Sequence, residues 1–108
     1  MPDSRKIVVV EDVFVRSFLR TALARHGYEV ICAAPAQAAQ LLQNGGIDLL
    51  ITNVPQTFAA FGAQVPLLYL AAFPDPALAV DYSRWLALRK PFQTTELMLL
   101  VEQLLRPV

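Results

Sequence analysis

Glu11 and Asp12 stand side by side directly after the apolar run Ile7-Val8-Val9-Val10. Thr52 and Asn53 follow Leu49-Leu50-Ile51, Ala71 and Ala72 follow Leu67-Leu68-Tyr69-Leu70, and Lys90-Pro91-Phe92 follow Leu86-Ala87-Leu88-Arg89. Two adjacent carboxylates with a carboxamide oxygen are hard-cation chemistry, of the kind that holds Mg2+. A lysine brought beside them binds an anion as a compact point charge. These segments lie far apart in the chain, so they form a site only if the fold gathers the ends of the apolar runs along one edge. Singly, each has a plain structural use. The acidic pair can support the N-terminus of a following helix, and Lys90 can be a surface charge. Their joint placement after apolar runs is what points to a site.

The intervening segments supply the elements that would do the gathering. Residues 6–10 are a β-branched run suited to a strand buried on both faces. Over 14–26, Val15, Phe18, Leu19, Ala22 and Leu23 recur at helical spacing, with Arg16, Arg20 and Arg25 elsewhere, and Gly27 ends the helix. Residues 28–33 form a second strand, and Pro35 opens a helix that runs to 44 and stops at Gly45-Gly46. Further strands fall at 47–52, 65–70 and 86–89. A short helix fits 76–84 and puts Tyr82 and Trp85 in that helix and its exit. A last helix fits 95–105.

Strands alternating with helices imply an α/β domain with a parallel sheet and right-handed crossovers. Five such strands suit a flavodoxin-like order, 2-1-3-4-5, whose sites form at the carboxyl ends of the strands. Only residues 53–64 separate the third and fourth strands, about the minimum for a parallel crossover. The third helix is therefore expected to be shortened to a turn over 57–61 or missing, with Phe58 and Phe61 covering the sheet and Gly62 breaking the turn.

The 108 residues, read as a single domain over 1–108, carry nine Lys+Arg and nine Asp+Glu, a formal net charge of zero. No basic excess exists to neutralise nucleic-acid phosphates, so nucleic acid is not an expected partner. Residues 65–73 are the longest apolar stretch, nine residues interrupted by Pro66, too short to span a bilayer. The start, 1–6, does not read as a signal peptide, and a cytoplasmic location is expected. One cysteine, Cys32, and one histidine, His26, exclude a disulfide framework and a Cys- or His-rich metal site. Seven arginines against two lysines, with fifteen alanines, suit a GC-rich bacterial genome. Hydrophobic residues make up 56% and charged ones 17%, more apolar character than a lone small domain easily hides.

Taken in order, these stretches resemble the receiver (CheY-like) domain of two-component response regulators: Ile7 to Asp12; Leu19 to Val30 with His26-Gly27-Tyr28-Glu29-Val30; Ile47 to Asn53; Val65 to Leu70; Lys90-Pro91-Phe92 with Glu96-Leu97. The resemblance covers nearly the whole chain, and it implies the same five-stranded fold. It implies that Glu11 and Asp12 match an acidic pair that holds Mg2+, and that Lys90 matches a lysine that contacts a phosphoryl group. It also marks departures. Asn53 stands where a phosphoacceptor Asp is expected, and a carboxamide does not form an acyl phosphate by that chemistry. Asp48 is no substitute, since it lies at the other end of the same strand, roughly 13 Å from Thr52 at about 3.3 Å per residue. Ala71 stands at a Thr/Ser position, and Ala87 where a switch aromatic is expected.

With acceptor, hydroxyl and aromatic all replaced, the expectation is a degenerate, pseudo-receiver domain. It is not an enzyme and not phosphorylated at the usual site, and it acts as a protein–protein interaction or dimerisation module in signal transduction. No cofactor is required, and Mg2+ at Glu11 and Asp12 would be weak or vestigial. The partner is a second copy, or another signalling protein such as a histidine kinase or a regulator, with neither nucleic acid nor membrane involved. In the last helix, Leu97, Leu100, Val101 and Leu104 are expected to face inward. Met98, Leu99 and Leu105 are then left over as the interaction surface. The alternative is a small-ligand or Mg2+ site with residual phosphate chemistry at Glu11, Asp12, Asn53 and Lys90. Lys90 is expected to pair with Glu11 or Asp12 rather than with residue 53.

Overall fold

A computed structural model describes residues 4–107; the outermost ends of the 1–108 assignment, residues 1–3 and 108, lie outside the described residues. The elements run β1 (Lys6–Val10), α1 (Val13–Ala24), β2 (Glu29–Cys32), α2 (Pro35–Asn44), β3 (Leu49–Thr52), a 3₁₀ segment (Pro55–Phe61), β4 (Leu67–Ala71), a second 3₁₀ segment (Pro76–Ala79), β5 (Trp85–Arg89) and α3 (Thr94–Leu105). The sheet is parallel throughout, in the order β2-β1-β3-β4-β5. This is the α/β, flavodoxin-like architecture that the alternation of apolar runs predicts, and the one the resemblance implies.

Successive residues of the inner strands point to opposite faces, and both faces are covered, which is why β1, β3 and β4 read as unbroken apolar runs. Ile7, Val9, Leu49, Ile51, Leu68 and Leu70 face α1 and α3. Val8, Val10, Leu50, Leu67 and Tyr69 face α2 and the two 3₁₀ segments. Each helix starts and stops for a local reason. Asp12 caps α1, Pro35 occupies the first turn of α2, and Gly27, Gly45 and Gly46 all carry positive φ in the turns that follow.

The third helix is reduced to the 3₁₀ segment over Pro55–Phe61, kinked at Phe58, whose side chain is wholly buried against the sheet while Phe61 packs beside it. The fourteen residues between β3 and β4, 53–66, suffice only for this tighter winding. Its exit is fixed by Gly62, where an added Cβ would strike the backbone carbonyl of Asp81. The Ser83 amide donates to the Gly62 carbonyl at 3.0 Å, so the two 3₁₀ segments abut through backbone.

Several placements differ from the sequence expectation; β3 and β4, for instance, begin at Leu49 and Leu67 rather than at 47 and 65. The helix expected over 76–84 is a single 3₁₀ turn, after which the buried Ala79 and Tyr82 pull the chain back onto the sheet. Trp85 is the first residue of β5, paired with Leu67, rather than part of a helix. In α3 the buried set is Leu97, Met98, Val101, Leu104 and Leu105. Met98 and Leu105, expected as surplus contact surface, are therefore core residues, and Leu100 sits on the flank. The stripe i, i+1, i+4, i+7, i+8 is one continuous helical face, rotated by about one position from the expected set. Of Met98, Leu99 and Leu105, only Leu99 is exposed, so the last helix does not present the apolar surface its composition suggests. No helix among the described residues is long and apolar enough to cross a membrane.

Candidate functional site

The carboxyl ends of β1, β3, β4 and β5 deliver Glu11, Asn53, Ala71 and Lys90 to one edge of the sheet, and cross-strand register fixes their spacing. Val10 lies opposite Thr52, and Ala71 opposite Arg89. The Lys90 amide donates to the Ala71 carbonyl at 2.9 Å, and the Lys90–Pro91 peptide bond is cis.

Lys90 is held by Glu11, its Nζ lying 3.1 Å from Glu11 Oε1. The Glu11 side chain is wholly buried and the Lys90 side chain is 24% exposed. Glu11 Oε1 also accepts from the Asp12 amide, whereas Oε2 is buried with no hydrogen-bond partner among the described residues. Burial disfavours the carboxylate form and pushes the Glu11 pKa up from the usual range; the hydrogen bond and charge of Lys90 oppose this only in part.

Asp12 is used differently. Its Oδ1 accepts from the Phe14 and Val15 amides, each at 3.1 Å, and so caps α1. The acidic pair thus divides: one member neutralises Lys90 and the other closes a helix end. No group of three or more His, Cys, Asp and Glu side chains able to hold a metal occurs among the described residues. A Mg2+ ion wants about six oxygens in near-ideal octahedral array. One paired carboxylate, one capping carboxylate and the neutral Asn53 do not fit that demand.

Asn53 is exposed just past β3. The neighbouring polar residue, Thr52, is a structural member: it is fully buried, donates to the Val10 carbonyl at 2.9 Å and accepts from the Val54 amide at 3.1 Å. Asp48 sits at the amino end of β3, where its carboxylate accepts from the Lys6 amide, away from Asn53. Ala71 offers no hydroxyl, and Ala87, exposed on the edge strand β5, offers no ring.

Several residues that strand-end reasoning missed shape this edge. The buried Tyr69, two residues before Ala71, accepts at its hydroxyl from the Asp75 amide. The Tyr82 hydroxyl donates to the Pro55 carbonyl at 2.9 Å, and burial, with Asp81 nearby, pushes its pKa up to about 12. The signal for Tyr69 was its period-two placement on the second face of β4; Tyr82 carries no comparable sequence signal. Around the edge stand exposed aromatics. Phe14 and Phe73 are 83% and 81% exposed, Phe18 packs edge-on against Phe92 with ring centres 5.8 Å apart, and the Arg89 guanidinium lies 5.1 Å over the Phe73 ring. Phe18, expected inward on α1, is 42% exposed because its face of the helix meets the loop after β5 rather than the sheet.

Compared with protein-family models and with curated proteins, the sequence matches none. Solved structures do match in fold, over most of both chains. The signal receiver domain of an HD domain-containing protein from Pseudomonas fluorescens Pf-5 superposes with a TM-score of 0.78 at 24% identity, covering 97% of this chain and 89% of that one. The chemotaxis protein CheY4 of Vibrio cholerae gives 0.78 at 21% identity, covering 94% and 99%. A putative response regulator from Chloroflexus aurantiacus J-10-fl gives 0.74 at 26% identity, covering 95% and 98%. The structural neighbours of this fold are thus response-regulator receiver domains, and their likeness reaches from β1 to α3.

Proposed function

We propose that this chain is a receiver-like module of bacterial signal transduction that is not phosphorylated at Asn53 and acts by binding protein rather than by catalysis. The observation that carries the reading is the closure of Lys90 onto Glu11, beside an exposed carboxamide where an acceptor carboxylate would be needed. An in-line phosphoryl transfer needs a nucleophile, and Asn53 supplies none. The rim supports the binding role. Val13, Phe14, Phe18 and Phe73 are among the exposed large apolar residues, and all follow the carboxyl ends of strands. The partner would be a second copy or another signalling protein, a histidine kinase or a regulator. The Pseudomonas fluorescens neighbour is itself one domain of a larger HD domain-containing protein.

The test has two arms. Intact-mass measurement after acetyl phosphate treatment with Mg2+ should show no phosphoryl adduct; a stoichiometric adduct on any acid of this edge refutes the reading. Phe14→Ser with Phe73→Ser should abolish association, with a second copy in sedimentation or with a purified kinase in titration, while the circular dichroism spectrum stays unchanged. Association that survives both substitutions removes the rim from the proposal.

A further inference from the structure

A cavity of about 240 Å3 opens between α1 and β2, lined by Arg16, Ser17, Arg20 and Cys32. It lies outside the Glu11–Lys90 site, and its electrostatics are one-sided. Arg16 and Arg20 stand four apart on α1, where like charges face each other and repel. Arg16 belongs to the first turn of the helix, the positively polarised end, where a cation is disfavoured. No residue of α1 is acidic. The nearest carboxylate in sequence, Asp12, commits Oδ1 to the Phe14 and Val15 amides and forms no ion pair with Arg16.

Three of the chain's other five arginines are used by backbone carbonyls. Arg5 donates to the Leu105 carbonyl, Arg84 to the carbonyls of Gln103 and Arg106, and Arg89 to the Ala72 carbonyl. Neither the Arg16 nor the Arg20 guanidinium has a hydrogen-bond or ion-pair partner among the described residues. Two forked donors, a serine hydroxyl and a half-buried thiol thus line one cleft, with no carboxylate among its lining residues.

We propose that this cleft binds a small phosphate-type oxyanion: inorganic phosphate or the terminal phosphate of a small monoester. An oxyanion there would relieve the Arg16–Arg20 repulsion and the unfavourable first-turn charge together. Size sets the class. At about 30 Å3 per water, 240 Å3 corresponds to on the order of eight waters, below the roughly 300–1,000 Å3 of sites that enclose drug-sized ligands. A phosphate group fits, and a whole nucleotide does not.

Cys32 is the protein's one cysteine, so its alkylation, read by intact mass, reports on this cleft alone. Inorganic phosphate should slow the reaction of Cys32 with iodoacetamide saturably, and sodium chloride at matched ionic strength should not. Against N-acetylcysteine as reference, anionic iodoacetate should be favoured over neutral iodoacetamide by roughly tenfold, the lower end of what a one-sign cleft achieves. Arg16→Gln with Arg20→Gln should abolish both effects, and Arg25→Gln, outside the cavity, should leave them intact. A thermal-shift arm reads the same site without the thiol. Phosphate should raise the melting temperature of Cys32→Ser and leave that of the Arg16→Gln, Arg20→Gln pair unmoved. If glucose 6-phosphate protects at lower concentration than phosphate, the ligand is a monoester; the reverse order assigns it to free phosphate. Protection that chloride reproduces, or that survives loss of both arginines, overturns the site.

Discussion

Replacing Lys90 with Met tests whether Lys90 serves chiefly to compensate a buried Glu11. At the observed 3.1 Å, unit charges interact by about 5 kcal/mol at an effective dielectric constant of 20 and by about 1.3 kcal/mol in bulk water. Glu11 is buried and Lys90 is 24% exposed, so the coupling should fall between these limits. A double-mutant cycle with Glu11→Gln should return about 2 kcal/mol. The single changes should be unequal. Lys90→Met strands a buried carboxylate that already has one oxygen without a partner, and should cost about 2–3 kcal/mol at pH 8. Glu11→Gln removes the desolvated charge while Lys90 can turn to solvent, and should lie within about 1 kcal/mol of the unmodified protein.

The pH dependence has a definite sign. Burial raises the Glu11 pKa above its unfolded value, so the native state holds this proton more tightly than the unfolded state does. The associated stability is fully present below about pH 4.5, the ordinary value, and is lost as pH rises through the raised native value. Without Lys90 that native value rises further. The deficit of Lys90→Met should therefore shrink steadily as pH is lowered from 8 towards 4.5, measured by urea denaturation. A deficit that is constant across this range, or a coupling below about 0.5 kcal/mol, would show that Lys90 does not serve to compensate Glu11.

Three further outcomes follow from the same contacts. Gly62→Ala drives a Cβ into the Asp81 carbonyl between the two 3₁₀ segments and should cost about 1–3 kcal/mol, read as a melting-temperature fall of about 4–8 °C per kcal/mol. Asp12→Ala removes the α1 cap and should cost about 1 kcal/mol, while EDTA leaves the melting temperature of both proteins unchanged, because Asp12 serves the helix rather than a metal. Asn53→Asp supplies an acceptor without Ala71 or Ala87 gaining a relay, so acetyl phosphate should leave its sedimentation coefficient unchanged even where mass spectrometry finds an adduct.

The fold was legible because its inner strands are buried on both faces and therefore written as unbroken apolar runs, whose alternation with helices suits the observed order. The pairing of Lys90 with Glu11 was legible too, since a neutral Asn53 leaves the lysine to the remaining acids. The exposed set of α3 was not. Leu97 to Val101 are apolar at every position, so periodicity cannot say which member faces out, and only packing on β4 and β5 turns Leu99 to solvent. Nor could sequence show that Thr52, which stands beside Asn53 at a strand end, spends its hydroxyl on the Val10 carbonyl and the Val54 amide. Side chains that satisfy backbone groups across 42 positions of chain leave no local pattern. Tyr82 is hidden for the same reason, its hydroxyl reaching Pro55 across 27 positions.

Those hidden bonds bear on whether this edge can switch at all. A switch needs an element with two arrangements whose balance the ligand shifts. The segment between β4 and β5 is tied along its length. Tyr69 anchors the Asp75 amide, Asp75 caps Ala77, Tyr82 bonds Pro55, and Ser83 bonds Gly62, while Arg89 and Lys90 close onto the carbonyls of Ala72 and Ala71. Beside α2 this face carries two 3₁₀ segments that touch through backbone, so a shift of one strains the other. On the reading proposed above, Asn53, Ala71 and Ala87 thus sit on a scaffold in which little is left free to respond. A fixed surface suits a module that binds its partner constitutively, and the aromatic rim of Phe14, Phe18 and Phe73 is held on just such a frame.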